Sequence, residues 1–143
     1  MEMAILQAHA AATLGEVPVG AVLVVDNQVI AQAGNCPISN SDPTGHAEII
    51  ALREGAKQTS NYRLPGSTLY VTLEPCPMCV GAMIHARVAR VVFGATDPKT
   101  GALVSKYYMG RDGRSNHTLE VVGGILADKC GSLLKDFFAQ RRK

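Results

Sequence analysis

The stretch Thr72–Arg87, TLEPCPMCVGAMIHAR, decides how this chain folds and what it can bind. Its first residues end a segment typical of a strand, and the remainder is typical of a helix that begins with Cys76 and Cys79. Cysteines three positions apart share one helix face, and a helix N-terminus favours thiolate. Pro77 suits an early helical position because its missing N–H costs little there. The pair could be a redox dithiol, half of a structural zinc site, or two ligands of a catalytic metal.

Segments with strand and helix periods alternate along the rest of the chain, and no linker divides its 143 residues, so we predict one domain over 1–143. The predicted helices are 3–14, 46–58, 76–87 and 127–142, and the predicted strands are 19–25, 28–35, 67–74, 88–95 and 118–122. Residues 102–113 remain unassigned. Asp26-Asn27 is typical of a two-residue hairpin turn. The order predicts an α/β fold with helices on both faces of one mixed sheet.

Composition limits the classes of protein to consider. Hydrophobic residues make up 47% of the chain, which is enough for a sizeable core. No apolar run approaches the roughly 18 residues of a membrane span, and the N-terminal segment lacks the pattern of a signal peptide. We therefore expect a cytoplasmic protein with no membrane association. The net charge of +2 is too small to indicate nucleic-acid binding by itself.

His46 and Glu48 complete a possible metal site with the two cysteines. Two residues apart, they would lie on opposite faces of a helix, so they converge only if His46 stands at or before the first turn. Three protein ligands (His46, Cys76 and Cys79) are typical of catalytic zinc, and four of structural zinc. Cys36 is the candidate for a fourth ligand. Glu48, beside the metal and not bound to it, could transfer protons.

The pattern H-x-E followed by P-C-x-x-C, here HAE at 46–48 and PCPMC at 75–79, is the signature of zinc nucleobase deaminases. Longer blocks resemble the bacterial tRNA adenosine deaminases of the cytidine deaminase-like superfamily, in the same order and over nearly the whole chain. They include EVPVGAV (16–22), DPTGHAEI (42–49), NYRLPGSTLYVTLEPCPMC (61–79) and GILADKC (124–130).

This resemblance implies a three-layer αβα cytidine deaminase-like fold around a mixed, roughly five-stranded sheet. It implies one Zn²⁺ per subunit, a homodimer, and hydrolytic conversion of the wobble adenosine in a tRNA anticodon loop to inosine. Carried onto matching positions, it implies that Asn35 contacts the nucleoside and that the Ala47 N–H helps to read the base. Asp97 and Asn116 would line the nucleotide cleft.

The resemblance weakens over Ala102–Ser115, ALVSKYYMGRDGRS, and Cys36 replaces a residue that is often basic in the family. Tyr107 and Tyr108 could form a different RNA-contacting surface, or pack under the loop. Alternatively, the segment could close the pocket over a free base or nucleoside of guanine, cytosine or adenosine type. A more remote alternative is a non-catalytic, zinc-stabilised RNA-binding domain. The C-terminal DFFAQRRK (136–143) resembles the family's anticodon-loop contact and favours RNA.

Overall fold

A mixed five-stranded sheet forms the centre of the structure, a computed structural model that describes residues 1–142. Lys143, the last residue of the C-terminal segment DFFAQRRK, lies outside the described residues. The helices are α1 (Glu2–Thr13), α2 (Ala47–Thr59), α3 (Pro77–Ala86) and α4 (Ala127–Arg141). The strands are β1 (Gly20–Val25), β2 (Gln28–Gly34), β3 (Thr68–Leu73), β4 (Arg90–Ala95) and β5 (Glu120–Val122). Every helix and strand predicted from the sequence is present.

The strand order in the sheet is β2-β1-β3-β4-β5. β1 runs antiparallel to both β2 and β3, whereas β3, β4 and β5 are parallel. α1 and α4 pack together against the sheet, and α2 packs against β1 and β2 with α3 beside it. The predicted α/β class with a three-layer arrangement and a mixed sheet is confirmed.

The hairpin between β1 and β2 turns as its sequence predicts. Asp26 and Asn27 have φ angles of 50° and 62°, the left-handed conformation that a two-residue type I′ turn requires. By contrast, the unassigned segment between β4 and β5 contains turns and neither helix nor strand over 102–113. Among the described residues, no helix has the length and apolar character needed to cross a membrane.

The apolar stripe of α4 is only partly buried; its residues are Cys130, Leu133, Leu134, Phe137 and Phe138. Cys130 is 1% exposed and packs where Gly94 leaves room for it. Leu134 is half-buried and Phe138 is 43% exposed. Both line a surface groove beside Leu73; Leu134 also packs against the core, whereas Phe138 does not. The helix meets the sheet closely at Cys130, and its later turns lie over grooves.

Two helical glycines, one in α4 and one in α2, test how closely each helix packs at that position. A methyl group on Gly131 in α4 meets nothing within 4 Å, so Gly131→Ala should raise the free energy of unfolding by about 0.5–1 kcal/mol through helix propensity alone. A methyl group on Gly55 in α2 would overlap the buried side chain of Leu23. Gly55→Ala should therefore lower that free energy by about 1–3 kcal/mol. Urea denaturation followed by circular dichroism measures both, and equal stabilisation would contradict the close α2–β1 contact.

Candidate active site

Two helices begin at the same place in the molecule. His46 is the N-cap of α2 and has an extended backbone (φ −73°, ψ 149°). It therefore stands before the first turn, which is the condition for convergence with Glu48. Cys76 is the N-cap of α3 with a similar backbone (φ −78°, ψ 171°), and Pro77 follows at the first helical position. The positive ends of both helix dipoles thus lie near these side chains.

The side chains of His46, Cys76 and Cys79 meet between the two helix starts. His46 Nδ1 lies 3.6 Å from Cys76 Sγ and 3.5 Å from Cys79 Sγ. All three ligand atoms lie within 4.8 Å of one another. Tetrahedral zinc, with Zn–N near 2.0 Å and Zn–S near 2.3 Å, separates nitrogen from sulfur by roughly 3.5 Å. The arrangement is therefore compatible with zinc bound by three protein ligands.

The two cysteines share one proton unequally. The hydrogen bond from Cys79 lowers the pKa of Cys76 to about 4, with burial opposing this effect and the His46 hydrogen bond adding to it. The same hydrogen bond and burial raise the pKa of Cys79. One thiolate is thus favoured at neutral pH, and a bound cation would compensate the charge of both, as metal binding to cysteine requires.

Glu48 lies next to this group without belonging to it. It is the second residue of α2 and is only 4% exposed. Burial raises the pKa of its carboxyl group, and its own backbone N–H and the nearby His46 offset part of that rise. A carboxyl group whose pKa is shifted towards neutral pH is suited to accepting and returning a proton.

A cavity of about 230 Å³ opens onto His46, Glu48 and Cys76. Its other lining residues are Val17, Val19, Asn35, Pro37, Leu73, Glu74, Asp97 and Thr100. Pockets for drug-sized ligands measure about 300–1,000 Å³, so this smaller cavity suits a smaller group such as one nucleobase. A larger groove of about 480 Å³ between α1 and α4 is lined by His9 and several charged residues, and it lies away from the three-ligand group.

Of the residues predicted to contact substrate, the structure brings Asn35 and Asp97 into the cavity wall. The buried Ala47 N–H donates to Asn35 Oδ1 at 2.9 Å, which satisfies the first free donor of α2. Ala47 would have to exchange this bond in order to contact a base.

Asn116 is not brought to the cavity. It is exposed and precedes β5, and the neighbouring His117 Nε2 lies 2.6 Å from the Val88 carbonyl oxygen. Because β5 pairs in parallel with β4, residues before β5 lie at the amino end of β4. The three-ligand group lies at the opposite end of these parallel strands, after the carboxyl end of β3.

The structure also shows where Cys36 and the segment Ala102–Ser115 lie relative to the site. Cys36 Sγ contacts the Gly45 carbonyl oxygen and the Asn40 amide, and Cys36 lies outside the three-ligand group. No residue of Ala102–Ser115 lines the cavity. Tyr107 and Tyr108 are 51% and 53% exposed, so they do not pack under the loop.

Sequence reasoning missed two buried carboxylates, Glu16 and Glu74, which are 0% and 2% exposed. Burial opposes their ionisation, but hydrogen bonds outweigh it and lower both pKa values. The donors are Ser39 and Ile38 for Glu16, and chiefly Ser105 and Val104 for Glu74. For Glu74, the available sequence signal was a charged residue directly after an apolar strand.

Comparisons with known proteins find similarity to deaminases. A model of the MafB19-like deaminase family matches residues 1–142. A tRNA-specific adenosine deaminase of Haemophilus influenzae is 56% identical over 144 residues, covering 100% of this chain and 83% of that protein. A solved structure from work on A-to-I editing by tRNA:A34 deaminases at the wobble position is 42% identical with a TM-score of 0.91, covering 94% and 97%. A guanine deaminase structure from Bacillus subtilis is 38% identical with a TM-score of 0.65, covering 66% and 61%.

The geometry predicts which cysteines hold the metal. Cys79→Ala should lose its bound zinc on dialysis, because the substitution removes a ligand. Its affinity for zinc should fall by more than the 10–100-fold that loss of a residue supporting a ligand costs. Cys36→Ala is the matched control and should retain the metal, since its sulfur contacts only loop atoms. Elemental analysis of the purified proteins measures both. Loss of zinc from Cys36→Ala would make Cys36 a fourth ligand and the site a structural one.

Proposed function

Because the chain belongs to the family of tRNA-specific adenosine deaminases, we propose that it hydrolyses the wobble adenosine in the anticodon loop of a tRNA to inosine. The observation that carries this proposal is the buried, non-ligating Glu48 beside three zinc-type ligands in a base-sized cavity. Water replaces the exocyclic amine of adenine at C6, and ammonia leaves.

One Zn²⁺ per chain fits the donor set of His46, Cys76 and Cys79, since two sulfurs and one imidazole nitrogen are preferred zinc ligands. When bound, zinc supplies Lewis acidity that lowers the pKa of a water molecule from about 16 to about 7.

Glu48 moves the protons of the reaction. Its carboxylate takes one proton from the attacking water and gives it to a ring nitrogen of the base. It then takes the second proton from the hydroxyl group now on C6 and gives it to the amine, so that the C6 carbonyl forms as ammonia leaves. The buried position favours this exchange, because burial raises the pKa of Glu48 and so strengthens its carboxylate as a proton acceptor.

The cavity walls bind and orient the base. Val17, Pro37 and Leu73 provide apolar surface. Asn35 is held through its side-chain oxygen by the Ala47 N–H, so its amide NH₂ is free to donate to an acceptor on the nucleoside. Asp97 and Thr100 add polar groups to the cavity wall.

An adjoining groove favours a nucleic-acid substrate over a free base. This groove of about 480 Å³ shares Val17, Leu73, Asp97 and Thr100 with the cavity wall. It adds Lys99 and the exposed ring of Phe138. Aromatic faces stack unpaired bases and lysine neutralises phosphate, so the groove suits nucleotides flanking the target. With tRNA as the substrate, the enzyme would act in the cytoplasm.

We also propose that the chain forms a homodimer. The outer faces of α2 and α3 carry an apolar depression of about 400 Å³, with Ile49, Leu52 and Ala82 among its lining residues, and Tyr62 beside them is 72% exposed. Burial of such a face would stabilise a pair of chains. Sedimentation equilibrium should give the mass of two chains, and the mass of one chain at micromolar concentration would contradict the proposal.

Ammonia release from purified protein tests the substrate. We expect turnover of an anticodon stem-loop with adenosine at the wobble position, and none of guanine, cytosine or free adenosine. The matched blank is Glu48→Gln, which should keep its zinc and lose about 10²–10⁴-fold in kcat.

Turnover of a free base with a silent stem-loop would replace tRNA with a small molecule and leave the catalytic roles intact. Near wild-type turnover by Glu48→Gln would remove Glu48 from those roles.

A further inference from the structure

We propose that Glu74 is a positioning residue that fixes the substrate-binding wall formed by Asp97 and Thr100. The inference rests on the function proposed above. Glu74 follows β3, two residues before the ligand Cys76, so it joins the metal-binding end of the sheet to a loop that is distant in sequence.

The carboxylate of Glu74 accepts five hydrogen bonds from that loop. One oxygen accepts the backbone N–H groups of Leu103, Val104 and Ser105, at 3.1, 2.9 and 3.0 Å. The other oxygen accepts the Asp97 N–H at 3.1 Å and the Ser105 hydroxyl. All these donors lie 23 to 31 residues beyond Glu74 in the sequence. Since the side chain is 2% exposed, water cannot readily replace them.

Asp97 connects the hydrogen bonds of Glu74 to the cavity wall. Its own carboxylate accepts the N–H groups of Lys99 and Thr100 at 3.0 and 3.3 Å and the Thr100 hydroxyl at 2.8 Å. Asp97 and Thr100 therefore form one unit, and both line the cavity. The loop has no helix or strand of its own, so its place in the molecule depends on such contacts.

Gly101 shows how closely the loop approaches the carboxylate. A methyl group at this position would overlap the Glu74 carboxyl group. The Ala102 N–H also donates to the Pro75 carbonyl oxygen at 2.8 Å, which brings the loop against the segment between Glu74 and Cys76. Glu74 has both oxygens engaged by the loop, so it acts through Asp97 rather than on the substrate.

Glu74→Gln tests the hydrogen bond to Asp97 separately from the hydrogen bonds to residues 103–105. The amide oxygen can keep the three N–H donors of Leu103, Val104 and Ser105, but the amide NH₂ then faces the Asp97 N–H, donor against donor. We expect KM for the stem-loop to rise by about 10-fold and kcat to change less than about 3-fold, because the wall binds ground state and transition state alike. The zinc content should stay at the wild-type level.

Ser105→Ala is the matched control. It removes the hydroxyl donor from the same oxygen and leaves the Asp97 bond in place, so its KM should stay within about 2-fold of wild type. Steady-state kinetics, zinc content and the melting temperature are measured for both variants. A wild-type KM in folded Glu74→Gln, or equal KM changes in the two variants, would overturn the proposal.

Gly101→Ala tests the same wall if Glu74→Gln does not fold. Its methyl group displaces the loop from an unchanged carboxylate, so KM should rise as in Glu74→Gln, and an unchanged KM would overturn the proposal. The wild-type enzyme separates this test from that of the proposed function. If it turns over only a free base, tRNA is lost as the substrate, and the variant-to-wild-type KM ratios on that base still decide the role of Glu74.

Discussion

The meeting of two helix N-termini beyond the carboxyl end of β3 is the constraint on which the site depends. His46 and Cys76 are each the last non-helical residue before a helix, so their side chains point away from the helix ends towards each other. Cys79 adds the third ligand atom from the first turn of α3. The helix dipoles favour the negative charge that two thiolates bring. A shift of either helix by one residue would turn a ligand away, because each residue rotates the side chain by about 100°.

The sheet order makes this meeting possible. β1 lies between β2 and β3, and α2, which follows β2, packs on β1 and β2 and against α3, which follows β3. The cavity then needs walls on both sides, and both are loops. Glu16 accepts the N–H groups of Ile38 and Ser39 beside Pro37, and Glu74 accepts those of the opposite loop. Buried carboxylates are costly to desolvate. Here several donors to each one offset that cost and fix a loop at the same time.

The sequence was sufficient for whatever depends on residues close together in the chain. The left-handed Asp26-Asn27 turn, Pro77 at the start of α3 and the need for His46 to precede α2 all follow from local backbone chemistry, and the structure confirms them. Tertiary contacts decided the rest. Neither the hydrogen bonds that join Glu74 to a loop more than 20 residues away nor the exposure of Phe138 on α4 leaves a periodic signal.

Tertiary contacts, rather than local sequence, also decide where Asn116, Tyr107 and Tyr108 lie. The family resemblance implied that Asn116 lines the nucleotide cleft. The parallel pairing of β5 with β4 instead places Asn116 near the amino ends of these strands, away from the three-ligand group. Tyr107 and Tyr108 lie on a segment whose first residues are fixed by Glu74 and whose tip is exposed. The Arg111 guanidinium stacks 4.2 Å from the Tyr108 ring, which orders part of that tip without reaching the cavity. The tip can therefore change in sequence while the wall below it, and with it the catalytic geometry, stays in place.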